Sequence, residues 1–68
     1  MPASIASGKN GTIIYEDDFG TITFELPLRG SDEILDSSHV VDIEGNIDIA
    51  GMDQWLETAV AATRKWLE

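Results

Sequence analysis

The sequence contains no cysteine and only one histidine among its 68 residues. Disulfides are therefore excluded, and the thiolate and imidazole ligands of a structural zinc site are absent or too few. No apolar run approaches the roughly 20 residues that a membrane-spanning helix needs. Residues 1–7 lack the basic and apolar segments of a signal peptide. We therefore expect a cytoplasmic protein with no metal and no cofactor.

Basic residues are also scarce. The chain has four lysines and arginines against 13 acidic residues, which gives a formal charge of −9. Neither basic residue type occurs between Arg29 and Arg64. The acidic residues of this base-free interval are Asp32, Glu33, Asp36, Asp42, Glu44, Asp48, Asp53 and Glu57. A field of one sign repels nucleic acid and acidic membranes and attracts basic protein surfaces. Direct nucleic-acid binding is not expected, since phosphate contacts need lysine and arginine.

The short chain predicts one domain with a thin core, because a domain of about 60 residues buries only about 60% of its unfolded surface. Small scaffolds without disulfides or metals often gain stability by oligomerising. The composition therefore leaves both a monomer and a homodimer open.

One long helix is predicted, from Met52 to Leu67. Its apolar stripe recurs at three- and four-residue steps and comprises Met52, Trp55, Leu56, Ala59, Val60, Thr63, Trp66 and Leu67. We expect Trp55 and Trp66 to be core residues at the two ends of the stripe. The alternative is that one of them stays partly uncovered and anchors a partner, since tryptophan is enriched in interface hot spots.

Two strands are predicted at Thr12 to Glu16 and Thr21 to Leu26, joined by a turn over residues 17–20. Pairing Tyr15 with Ile22 and Ile13 with Phe24 places four large apolar side chains on one face, which favours that register.

A second hairpin is predicted from Val40 to Glu44 and from Ile47 to Ala50. A three-residue loop would pair Ile43 with Ile47 and Val41 with Ile49 on one face. This register also places Asp42 opposite Asp48, where like charges repel. Of the remaining chain, residues 1–11 are predicted as a loose N-terminal arm anchored by Ile5, and residues 31–35 as either one capped helical turn or a loop.

The predicted fold class is therefore α+β, in the order β-β-β-β-α. Two hairpins form a four-stranded antiparallel sheet, and the C-terminal amphipathic helix packs on one of its faces.

Catalytic chemistry is not expected. His39 lies in sequence near Ser37, Ser38, Asp36 and Asp42, but adjacency in sequence is poor support for a Ser-His-Asp geometry. A chain of this length also has little room for a pocket with an oxyanion hole. The alternating acids from Asp42 to Asp48 do not match an EF-hand loop, which requires a bidentate glutamate at its last position. They leave three interpretations: a solvated face, a surface for a basic partner, or a cation site.

The leading functional hypothesis is a non-enzymatic acidic module that binds a protein with a basic surface. Its predicted partner-binding residues are Asp32, Glu33, Asp36, Asp42, Glu44 and Asp48. The hypothesis extends to an inhibitor that mimics nucleic-acid charge, since small phage-encoded inhibitors of host defence are similar in size and charge. One alternative is a structural or assembly subunit that homo-oligomerises through strand edges or the helix stripe. The other is a small bacterial or phage protein whose acidic surface is only solvated.

Overall fold

A single antiparallel sheet and one helix make up the computed structural model, which describes residues 3–28 and 30–68. The strands are β1 (Ser4–Ser7), β2 (Thr12–Asp17), β3 (Gly20–Glu25) and β4 (Val40–Gly45), and the helix is α1 (Ile49–Leu67). The strands lie in the sheet in the order β1-β2-β3-β4, and α1 packs on one face. The predicted four-stranded antiparallel sheet with one C-terminal helix is confirmed.

The β2–β3 hairpin has the predicted register, with Tyr15 opposite Ile22 and Ile13 opposite Phe24. These four side chains are at most 2% exposed. Gly20 opens β3 with a φ of 152°, and a Cβ there would lie 2.1 Å from the carbonyl oxygen of Glu44. Glycine is therefore required where β4 crosses the end of this hairpin.

The predicted second hairpin is wrong. Val40–Gly45 pairs with β3 instead, and Ile43 lies opposite Ile22. The predicted fourth strand, Ile47 to Ala50, runs into the start of α1, where Ile49 is 90% exposed. Asp48 is the N-cap, since its carboxylate accepts a hydrogen bond of 2.9 Å from the backbone N–H of Gly51. Capping satisfies a donor in the first turn that has no helical partner.

The sheet has four strands because β1, at its edge, takes the place of the strand predicted at Ile47 to Ala50. The loose arm predicted for residues 1–11 is therefore wrong at Ser4–Ser7. This strand pairs with β2 and places Ile5 opposite Tyr15. Ile5 packs against the core, as its predicted role as an anchor requires. Met1 and Pro2, also assigned to the arm, lie outside the described residues.

The only short helix between β3 and β4 in the described ranges is a 3-10 helix at Ser37–His39, and no helical turn forms at residues 31–35. Asp36 caps it: the Asp36 carboxylate accepts a hydrogen bond of 2.9 Å from the backbone N–H of Ser38. Leu35, just before the cap, is 2% exposed and joins the core, whereas Ile34 is largely exposed.

The core lies between the inner face of the sheet and α1. Its helix members are Trp55, Ala59 and Val60, which pack with Tyr15, Ile22, Phe24 and Leu35. Trp66 is 44% exposed, so one tryptophan is a core residue and the other is half uncovered. No helix in the described ranges is both long and apolar enough to cross a membrane.

Asp17 joins the β2–β3 hairpin to the helix. Its carboxylate accepts hydrogen bonds from the Tyr15 hydroxyl at 2.7 Å and from Trp55 Nε1 at 3.0 Å. It also accepts from the backbone N–H of Phe19 and Gly20, which fixes the turn. Burial opposes the charged form, but these donors outweigh it and hold the pKa of Asp17 below its usual value.

Candidate protein-binding surfaces

The face of the sheet that α1 leaves uncovered is acidic. Because side chains alternate along a strand, the residues opposite to the core positions of β2, β3 and β4 share this side. They are Thr12, Ile14, Glu16, Thr21, Thr23, Glu25, Asp42 and Glu44, and we call them the open sheet face. All four of its carboxylates are on exposed residues, and none of the four strands contains a lysine or arginine.

The register separates these carboxylates from one another. Every acid of the open sheet face lies opposite a threonine, in the pairs Glu25–Thr12, Glu16–Thr21, Glu44–Thr21 and Asp42–Thr23. The predicted repulsion between Asp42 and Asp48 is therefore absent, because Asp48 is in the helix cap. Adjacent strands lie about 4.8 Å apart, which puts Glu16 and Glu44 about 10 Å apart across Thr21. Asp42 and Glu44, two residues apart on β4, project about 6.7 Å apart.

The six predicted partner-binding residues do not form one surface. Asp42 and Glu44 belong to the open sheet face, and Asp48 caps α1. Asp32, Glu33 and Asp36 are exposed in the segment between β3 and β4. Glu16 and Glu25 complete the open sheet face but were not among the predicted residues. The predicted hairpin register already indicated both glutamates, because pairing Tyr15 with Ile22 places them on the face opposite the core.

His39 lies close to two acidic residues of the segment between β3 and β4, Glu33 and Asp36. Its Nδ1 lies 3.1 Å from Asp36 Oδ1, and its Nε2 lies 3.6 Å from Glu33 Oε2. Loss of solvent around the ring lowers the pKa of His39, but hydrogen bonds to Asp36 and Glu33 outweigh this and raise it. The pKa of Asp36 is lowered, mainly by hydrogen bonds from Ser38 and also by His39. This cluster stabilises the start of β4.

The same residues do not form a Ser-His-Asp relay. The Ser38 hydroxyl donates to Asp36 Oδ1 at 2.5 Å, so its proton points to the carboxylate and not to the imidazole. A serine nucleophile needs the base as its hydrogen-bond acceptor. Asp42, the other acid considered with His39, is on the open sheet face. Within the part of the chain that the structure describes, no group of three or more histidine or acidic side chains could hold a metal ion.

Comparison of the chain with protein-family models, with curated proteins and with solved structures found no significant match.

Proposed function

We propose that this protein is a non-enzymatic acidic module that binds a basic surface of another protein through its open sheet face. The observation that carries the proposal is the pattern of four carboxylates separated by threonines. Strand pairing fixes the backbone positions of Glu16, Glu25, Asp42 and Glu44. Less conformational freedom is then lost on binding than with carboxylates on a mobile loop.

The chemistry of this face suits a groove that normally binds nucleic acid. Such grooves present lysine and arginine to a row of phosphates and contribute most of their affinity electrostatically. The carboxylates offer negative charge at spacings of about 7 to 10 Å on one face of the sheet. A partner occupied in this way would be inhibited by competition for its nucleic-acid site.

A capture experiment with matched variants tests the proposal. The wild-type protein is immobilised and exposed to a cell lysate, and retained proteins are eluted with rising salt. We expect the double variant Asp42→Asn/Glu44→Gln to lose the partner, and the control Asp32→Asn/Glu68→Gln, with the same change in charge, to keep it. Added duplex DNA should release the partner from the wild type.

Two outcomes would contradict this proposal. If both double variants lose the partner to the same extent, the interaction depends on net charge and not on the open sheet face. Retention that does not change between low and high ionic strength would exclude an electrostatic interface, because exposed charge pairs are screened by salt.

Self-assembly through strand edges is the second candidate function, and the character of β1 favours it. Both β1 and β4 are edge strands, but Ser4–Ser7 contains no charged residue, whereas β4 carries Asp42 and Glu44. An unprotected edge can pair with a second copy, and a lysine on the edge prevents this. Sedimentation at high concentration should then detect a dimer that Ala6→Lys abolishes. A wild-type protein that sediments only as a monomer would exclude this function.

A further inference from the structure

A groove of about 550 Å³ runs along α1, between the helix and the residues that precede β4. One wall is formed by Asp36 and Ser37. The other is one stripe of the helix at three- and four-residue spacing, which comprises Asp53, Leu56, Glu57, Val60, Ala61 and Arg64. The groove lies in the helix layer, so the sheet separates it from the open sheet face.

The lining combines an apolar floor with an acidic rim. Leu56, Val60 and Ala61 supply the apolar surface, and Val60 is 7% exposed, so the floor is continuous with the core. Three carboxylates stand along the groove, on Asp36, Asp53 and Glu57. Asp53 and Glu57 flank the floor over its first two helical turns, Asp36 stands on the opposite wall, and Arg64 marks the far end of the helical wall.

Arg64 also holds the two walls together. Its Nε donates to the carbonyl oxygen of Leu35, and Leu35 itself is buried in the core. The Asp36 wall is fixed further by the hydrogen bonds that cap the 3-10 helix. The groove is therefore formed before a ligand binds, and a ligand does not have to order it.

We propose that this groove binds an extended segment of a partner protein in which an apolar side chain is flanked by lysines or arginines. The apolar side chain would cover Leu56 and Val60, and the flanking cations would lie near Asp53, Glu57 and Asp36. A purely apolar segment would bury these carboxylates without partners, which is unfavourable. A second copy of this chain would bring few cations to these carboxylates, since it has only four lysines and arginines. The proposal goes beyond the open sheet face and holds whether or not that face binds.

An NMR titration with a defined peptide tests the proposal. The probe is acetyl-Lys-Lys-Leu-Val-Lys-Lys-amide, and one control peptide replaces Leu-Val with Ser-Ser. We expect saturable shifts at the backbone amides of 36–37 and 53–64, and clearly weaker binding of the control peptide. Absence of saturable shifts at millimolar probe, equal affinity for both peptides, or shifts confined to the strands would overturn the proposal.

Matched charge reversals separate this groove from the open sheet face. Asp53→Lys/Glu57→Lys should weaken binding of the probe by about tenfold or more, because two favourable ion pairs become repulsive. Glu16→Lys/Glu44→Lys makes the same change in net charge on the other layer and should weaken it much less. Equal weakening by both pairs would overturn the proposal. The milder variant Asp53→Asn/Glu57→Gln should also weaken binding, and it is less able to disturb the fold than the charge reversal. The dispersion of the amide signals shows whether each variant is folded. If the wild-type protein retains no salt-sensitive partner in the capture experiment above, while the probe peptide still binds the groove, the open sheet face alone is contradicted.

Discussion

Replacement of Asp17 should remove the main polar connection between the sheet and the helix. The carboxylate accepts from Tyr15 and Trp55, which are 2% and 4% exposed. Asp17→Ala would leave the Trp55 indole N–H without its acceptor inside the fold, and an unsatisfied buried donor costs about 1–3 kcal/mol. The Tyr15 hydroxyl and the turn N–H groups lose their acceptor as well. We expect a total loss of about 3–5 kcal/mol.

This loss is large for so small a protein. A stability of about 0.05–0.15 kcal/mol per residue gives roughly 3–10 kcal/mol for the chain. Asp17→Ala should therefore remove about a third or more of the free energy of unfolding. Asp17→Asn keeps one acceptor oxygen and the shape of the side chain, and we expect it to cost about 1–2 kcal/mol.

Urea unfolding followed by circular dichroism measures these changes, with Asp42→Asn as a control on an exposed strand position. Combining Asp17→Asn with Trp55→Phe, which removes the indole N–H, tests the contact between sheet and helix directly, because contacting residues show coupling energies of about 0.5–3 kcal/mol. If Asp17→Ala costs less than the control, or the two changes are simply additive, Asp17 does not join the hairpin to the helix.

The acid limb of the stability curve gives an independent test. The pKa of Asp17 is lower in the folded protein, because its hydrogen-bond donors outweigh burial. Its contribution is therefore fully present above its unfolded pKa of about 4 and is lost as the pH falls through the folded value. Asp17→Asn should flatten this part of the curve. Tyr15 gives the opposite sign at high pH: burial and then Asp17 raise its pKa to about 12, so stability is lost as the pH rises from about 10 towards this value. A tyrosinate absorbance titration of this single tyrosine should show the shift.

Three further predictions follow from single side chains. Thr63→Val should raise the free energy of unfolding by about 1 kcal/mol, because the buried Thr63 hydroxyl has no hydrogen-bond partner among the described residues; Thr58→Val, on the exposed side of α1, is the control, and a loss of stability in urea would contradict the prediction. Gly20→Ala should cost more than about 2 kcal/mol, since the new Cβ would clash with the backbone of β4; a smaller loss in the same assay would show that β4 can move away. His39→Gln should abolish a stabilisation that is present below the unfolded pKa of the histidine and lost as the pH rises through its raised folded pKa; an unchanged pH profile of thermal unfolding between pH 5 and 8 would contradict it.

The sequence identified the elements that have a strong local pattern. Residues of alternating polarity gave the β2–β3 register, and the three- and four-residue recurrence of apolar side chains gave the helix. It missed β1, because Ser4–Ser7 has one β-branched aliphatic residue and becomes a strand only by pairing with β2. The apolar residues Ile47 and Ile49 alternate with Asp48, and this pattern wrongly predicted a strand from Ile47 to Ala50. The structure uses Asp48 as a helix cap, and a local pattern does not distinguish the two roles.

The same ambiguity affects the acidic residues on which the proposed function depends. Asp17, Asp36 and Asp48 accept hydrogen bonds from backbone N–H groups at a turn and at two helix starts. The sequence alone does not distinguish them from Asp42, which lies at an exposed strand position opposite a threonine. Part of the acidic excess therefore has a structural role that does not depend on a partner. Because β2, β3 and β4 each place carboxylates on the open sheet face while their apolar residues cover the core, that face combines charge with a rigid support, which the exposed loop acid Asp32 lacks.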